Sequence, residues 1–421
     1  MKLIRAAAVA TAGVLSLTLA ACGGSAPAAG GSGDLEVFSW WTSGSESAAL
    51  TTLFDAYAGA NGGAKVVNGA VAGGGGGNAQ AVLQTRLQGG NPPDVWQTHP
   101  GAAINEYIES SLVADVSSVY AEGKLADVVP RELVEAVSSG GKQYGVSVGA
   151  HRGNVLWYST KALAKAGVTV PETGYTTDAF LADLAKLDAA GVTPLCLGAK
   201  DTFAVAELFE NTLLGAGGAD GWTTLTTQGT GWDGAQVRTA AEQFATMLDH
   251  ADPDAAALSW DQATKKLGDG DCAFESMGDW AYGELVKNGA QEGTDFGYTA
   301  HPGTDGAFMA VVDTMVVAAN ATNTDAAMKF MAAIASKETQ LAFNKEKGST
   351  PLRTDVDVSS LPKYQQGAAE SFKNDRLVQS IVHGEAMNPQ FAQALNDAVT
   401  QFAQTKDVDA FTQTLSSAAA S

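Results

Sequence analysis

Apolar and polar positions first alternate at Leu35-Glu36-Val37-Phe38-Ser39, which predicts a strand running directly into Trp40 and Trp41. Gly44 and Ser45 supply turn chemistry before a segment in which Leu50, Leu53, Phe54 and Tyr57 recur on one helical face. A second strand is expected over Lys65 to Ala70 and a second helix over Ala79 to Leu87. Strand, helix and strand at this spacing read as the start of an α/β lobe with a mostly parallel sheet. In such sheets ligands collect at the carboxyl ends of the strands, where the paired tryptophans fall.

Further along, Pro92-Pro93-Asp94 turns into a short strand whose polar end makes Gln97 and His99 cleft candidates. Another strand is expected over Lys142 to Gly149, followed by His151-Arg152-Gly153-Asn154 and apolar Val155-Leu156-Trp157-Tyr158, a first crossing between lobes. Residues 160–300 hold amphipathic helices, one carrying Phe180, Leu181, Leu184 and Leu187, and supply most of a second lobe. A return crossing is expected around 295–315, a further one within 350–382, and an alanine-rich helical tail closes the chain. The expected organisation is a first lobe of 35–148 with about 305–350 and a second of 149–304 with about 351–421.

The opening is different in kind. Lys2 and Arg5 precede an apolar run ending in Leu19-Ala20-Ala21-Cys22, which resembles a lipoprotein signal peptide over 1–21, with acyl chains on Cys22. Residues 22–34 are mostly Gly, Ala, Ser and Pro, a flexible leash. The protein is therefore expected to be exported and tethered to the cell membrane, facing the extracytoplasmic space. About 387 residues follow Asp34, enough to divide into two lobes with a cleft between them.

Charge and cysteines narrow the function classes. With 25 basic and 46 acidic residues the chain carries a formal charge of -21, which disfavours nucleic acid and anionic lipid as partners. Cys196 and Cys272 can form a disulfide in an exported protein, free buried thiols being the alternative. No metal site is indicated, since His, Cys and carboxylates never gather at ligand spacing. The run Gly73 to Gly77 lacks the following Lys-Ser/Thr of a phosphate loop, and no cofactor is expected.

Phe38-Ser39-Trp40-Trp41, Pro92-Pro93-Asp94, His151-Arg152 with Asn154 and Trp157-Tyr158 form an ordered set with later motifs. These are Leu258-Ser259-Trp260, Met277-Gly278-Asp279-Trp280, Lys347-Gly348-Ser349 and Val382-His383-Gly384. The set spans nearly all of 35–390 and resembles the cluster B sugar-binding lipoproteins of ABC importers, close to bacterial glucose- and mannose-binding proteins. The resemblance implies a type II periplasmic-binding-protein fold, two α/β lobes closing on a monosaccharide, and docking surfaces for ABC permease subunits served by a cytoplasmic ATPase. The chain departs from the thermophilic glucose-binding pattern by one extra residue between Trp41 and Glu46. The Cys196 and Cys272 pair is not part of the family pattern.

Sugar chemistry agrees with the candidates. A pyranose has apolar C–H faces and a rim of hydroxyls, so its site needs flat aromatic surfaces beside fixed donors and acceptors. Trp40, Trp41, Trp260 and Trp280 supply surfaces; Glu46 and Asp279 accept; His99, His383 and Lys347 donate; Gln97 does both. His151 is a second-tier contact, and Arg152 is expected to bridge the lobes through a carboxylate instead of touching ligand. The leading function is capture of glucose, galactose or mannose by a monomeric receptor. The alternatives are a disaccharide or xylose receptor, a chemosensory or cell-wall carbohydrate binder, or a glycoside hydrolase using Asp279 and Glu46.

Overall fold

Residues 34–72 and 77–420 are described by the computed structural model. The signal peptide expected over 1–21, Cys22, the leash expected up to residue 33 and residues 73–76 of the glycine run lie outside the described residues.

Leu35–Phe38 (β1) forms the expected strand, with Leu35, Val37 and Phe38 buried. It pairs in parallel with Val66–Asn68 (β2) and Val95–Thr98 (β3). Between them lie the helices Gly44–Ala60, which buries Leu50, Leu53 and Tyr57, and Gly77–Gln88. A small hairpin, Ser138–Ser139 (β4) with Lys142–Gln143 (β5), leads into Gly145–Arg152 (β6).

At Gly153-Asn154 the chain changes sheets. Val155–Ser159 (β7), Thr193–Leu195 (β8), Cys272–Ser276 (β9) and Phe296–Ala300 (β10) make a four-stranded sheet in the order β10-β7-β9-β8. The chain returns through Ala307–Val317 (β11), eleven residues that are buried throughout, and Arg376–Gln379 (β12) completes the first sheet in the order β12-β11-β3-β1-β2, with β6 on the other side of β11. These are two α/β lobes of the type II periplasmic-binding-protein kind.

The first sheet is mixed: β1, β2 and β3 pair in parallel as expected, and β11 departs from the pattern. β11 enters from the other lobe, opposed to the strands that βαβ crossovers lay down, and so runs antiparallel to β3 and β6. Its first four residues pair in parallel with β12, so the late segment grouped with the second lobe also reaches into the first sheet. Alternation along β11 divides it between two cores: Phe308 and Ala310 pack with the first, Ala307 and Met309 with the second. The cleft lies beside this shared strand.

Cys196 and Cys272 are disulfide-bonded, with Cα atoms 5.6 Å apart, tying the end of β8 to the start of β9. The Arg152 side chain bridges no carboxylate among the described residues. Its guanidinium reaches Asn154 Oδ1 and the Ala307 carbonyl at 3.4 Å and lies 6.0 Å from the Phe308 ring.

Candidate functional site

A cavity of about 350 Å³ opens where β1, the crossing strands and the start of the Trp280–Lys287 helix meet, within the roughly 300–1,000 Å³ of small-molecule sites. Nine expected residues line it: Trp40, Trp41, Glu46, His99, His151, Trp260, Trp280, Lys347 and His383. Trp40 and Trp41 follow β1, and Glu46 sits in the first turn of the 44–60 helix. From the second lobe, Ser259 starts the Trp260–Asp269 helix with a capping box closed by Gln262, which fixes Trp260 at the wall.

Gln97 and Asp279 are not among the lining residues; both are buried behind it. Gln97 accepts from the Ser39 hydroxyl (2.8 Å) and Trp40 N–H (3.3 Å) and donates to Asp313 Oδ1 at 3.0 Å. Asp279 stands at the N-cap of the Trp280–Lys287 helix but makes no side-chain cap there. It is bonded to His151 Nδ1, to Arg152 N–H (3.1 Å) and to the Tyr364 hydroxyl (3.2 Å). Residue type told how many hydrogen bonds each can make, and the neighbours that use them come from distant strands.

His151 closes a chain through the floor. Its Nδ1 faces Asp279 and its Nε2 faces Asp313 Oδ2 at 3.1 Å, so Ser39, Gln97, Asp313, His151, Asp279 and Tyr364 link the first lobe to the second. Burial and Lys347 oppose charge on His151, yet Asp279 and Asp313 outweigh them and raise its pKa. Burial pushes Asp313 up, but His151 and Lys347 prevail and bring it down to about 2. Both ring nitrogens therefore donate, and His151 is an imidazolium held between carboxylates.

Sequence reasoning did not select Asp313 or Phe203, which also line the cavity. The signal for Asp313 was present: one carboxylate inside the apolar run Phe308 to Val317. Phe203 opens a helix and carries no comparable mark.

The two other cleft imidazoles are neutral. Burial lowers His99, whose Nδ1 lies 2.9 Å from the Val312 carbonyl; a carbonyl only accepts, so Nδ1 carries the proton. Burial also lowers His383 well below its ordinary value. Its Nδ1 meets Ser380 Oγ at 2.9 Å, and the Ser380 proton is given to Glu210. Both rings thus keep Nε2 as an acceptor, which alters the donor role expected for them.

Lys347 is no solvated loop charge. It ends the Lys337–Lys347 helix only 2% exposed, donates to Glu46 Oε1 at 3.0 Å, and lies 5.6 Å from the Trp41 ring and 6.0 Å from the Trp280 ring. Behind the cavity, buried carboxylates hold backbone in place. Glu207 accepts Gly278 N–H, Glu210 accepts Ile381 and Val382 N–H, and Glu385 accepts Val312 N–H. Burial raises all three, Glu210 to about 7.

The model of the bacterial extracellular solute-binding proteins matches residues 41–341. The chain belongs to that family. An ABC transporter extracellular-binding protein of Pyrococcus horikoshii is 31% identical over 89% of this chain and 85% of its own. A probable sugar-binding periplasmic protein of Mesorhizobium japonicum is 31% identical over 88% of each chain. The xylose/arabinose-binding protein XacG of Haloferax volcanii is 27% identical over 84% of this chain and 77% of its own. Among solved structures, a chitin oligosaccharide binding protein superposes with a TM-score of 0.80 at 17% identity, covering 92% of this chain and 98% of that one. The solute receptor AcbH, described as preferring β-D-galactopyranose, gives 0.79 at 18% identity, covering 91% and 97%.

This chain is therefore an extracellular solute-binding protein, a binder and not an enzyme. The hydrolase alternative also lacks its acid pair, because Asp279 is withdrawn behind the wall and Glu46 is engaged by Lys347.

Proposed function

We propose that the receptor captures a short neutral saccharide, a disaccharide or xylose ahead of a free aldohexose, by closing its lobes around it. The observation that carries this reading is one cavity walled from both lobes by aromatic rings and fixed polar groups. Trp40 and Trp41 stand on one side and Phe203, Trp260 and Trp280 on the other, with Asp313, His99, His383 and Lys347 between. A single pyranose has two apolar faces to cover; five aromatic side chains suit a longer ligand. The oligosaccharide named for the solved structure points to the longer ligand, and the pentoses named for the Haloferax relative support xylose. Glucose, galactose or mannose is the second reading, favoured by a volume of about 350 Å³, low in the range of ligand sites, and by the galactopyranose named for AcbH.

On this reading nine candidates touch sugar, Asp313 joins them, and Gln97 and Asp279 orient Asp313 and His151. The lobes are 35–148 with about 305–350 and 149–304 with about 351–421, except that β12 and the end of β6, residues 149–152, join the first sheet. The body acts as a monomer on a lipid anchor at Cys22; labelling with a fatty-acid analogue, lost in Cys22→Ala, checks the anchor.

Melting the ligand-free protein beside maltose, cellobiose, xylose, arabinose, glucose, galactose and mannose tests the sugar class. A shift of several degrees with a disaccharide or xylose, lost in Trp280→Ala, supports the main reading. Shifts confined to hexoses favour the second, and no shift with any of the seven rejects both.

A further inference from the structure

The helix carrying Glu46 begins at the cleft edge without a cap of its own. Its N-cap residue, Ser43, makes no side-chain cap hydrogen bond, and the Ser43 hydroxyl instead donates to Glu46 Oε2 at 3.1 Å. The missing acceptor comes from the other lobe. Glu284, on the Trp280–Lys287 helix, accepts Ser45 N–H at 2.9 Å and the Ser45 hydroxyl at 3.0 Å.

Glu284 is only 5% exposed and forms no ion pair among the described residues. A buried carboxylate costs several kcal/mol unless something compensates its charge. Here the orphan N–H groups and positive end of the 44–60 helix do so. Two glycines permit the approach. A Cβ on Gly44 would lie 2.8 Å from Glu284 Oε2, and one on Gly283 would lie 2.9 Å from the Lys347 carbonyl and from Ser45.

We infer that Glu284 is a positioning residue for sugar capture: it caps the 44–60 helix only while the lobes are closed, and so fixes Glu46 and Lys347 at the cavity. The inference rests on the two-lobe capture described above. The capped turn carries Glu46, whose Oε1 accepts Lys347 at 3.0 Å, and Lys347 lies between a tryptophan of each lobe. When the lobes part, Glu284 returns to water and the turn loses its cap. The closed state gains hydrogen bonds that the open state lacks, and no ligand atom takes part in them.

Stopped-flow tryptophan fluorescence on wild type, Glu284→Gln and Gly283→Ala, with maltose, xylose and glucose as probes, reads the effect. Loss of a charge-assisted cap predicts dissociation about ten-fold faster in Glu284→Gln, with association within about two-fold of wild type. Gly283→Ala, whose Cβ meets Lys347 and Ser45, changes in the same direction. Because no ligand atom takes part, the clasp also holds a share of the ligand-free protein closed, and small-angle scattering without sugar reads it independently: Glu284→Gln is more expanded than wild type. Unchanged dissociation in both variants, or the same radius of gyration in Glu284→Gln and wild type, overturns the inference. If wild type binds none of the probes, the capture reading fails while the scattering comparison still decides the clasp.

Discussion

At the scale of single residues, the floor of the cleft is a set of protonation states fixed by neighbours. His151, Glu210 and Glu275 all have raised pKa values, Glu210 to about 7 and Glu275 to about 8 because burial disfavours their charged forms. A raised folded-state pKa contributes stability that is complete below the unfolded value and is lost as pH rises through the folded one. All three have the same sign, so above about pH 6.5, where the lowered histidines are neutral folded or unfolded, the melting temperature should fall up to about pH 8, and Glu210→Gln should flatten the slope up to about pH 7. A melting temperature that rises over that interval contradicts the assignment. Asp313, brought down to about 2, behaves oppositely: its contribution is complete above its unfolded value of 3.8 and is lost as pH falls through about 2.

Asp279→Ala leaves a buried imidazolium with one carboxylate, and breaking such a pair costs roughly 3–5 kcal/mol. Denaturant unfolding should show a loss of that order, larger than for Lys347→Ala, and an equal or smaller loss would remove Asp279 from the relay. Of the residues picked out in the sequence, those of chemically distinctive type, Trp40, Trp41, Trp260, Trp280, His99, Lys347 and His383, line the cavity. Gln97 and Asp279 lie one layer behind the wall, held by partners 216 and 128 residues away in sequence, which local pattern does not encode.

At the scale of elements, periodicity located β1 and the 44–60 helix to within a few residues, because each buries a face that its own sequence displays, while turn chemistry located β3, which is buried throughout. β12 was not legible, because it pairs with β11 across a long separation that local pattern does not encode. The disulfide closes a span of 76 residues between β8 and β9. By the loop-entropy relation such a bridge is worth roughly 4 kcal/mol, an upper bound if the unfolded chain keeps structure. Cys196→Ala with Cys272→Ala should lower stability toward that amount in urea titration, and a change below about 0.5 kcal/mol would show that packing around Trp157 and Phe274 holds the second sheet without it.

For the whole molecule, the central claim is that two lobes close on one sugar. Both crossings run side by side through β6 and β11, and the relay from Ser39 to Tyr364 passes beneath the cavity, so on the proposed reading the floor persists while the walls move. Closure buries the aromatic walls against ligand and predicts a negative heat-capacity change on binding. The most direct measurement is calorimetric titration of the soluble protein from Gly23 onward, freed of copurified ligand by unfolding and refolding, against maltose, xylose and glucose at several temperatures. The account predicts one-to-one binding to at least one of them with a negative heat-capacity change, strongest for the disaccharide or xylose; a folded protein that binds none of the three contradicts it.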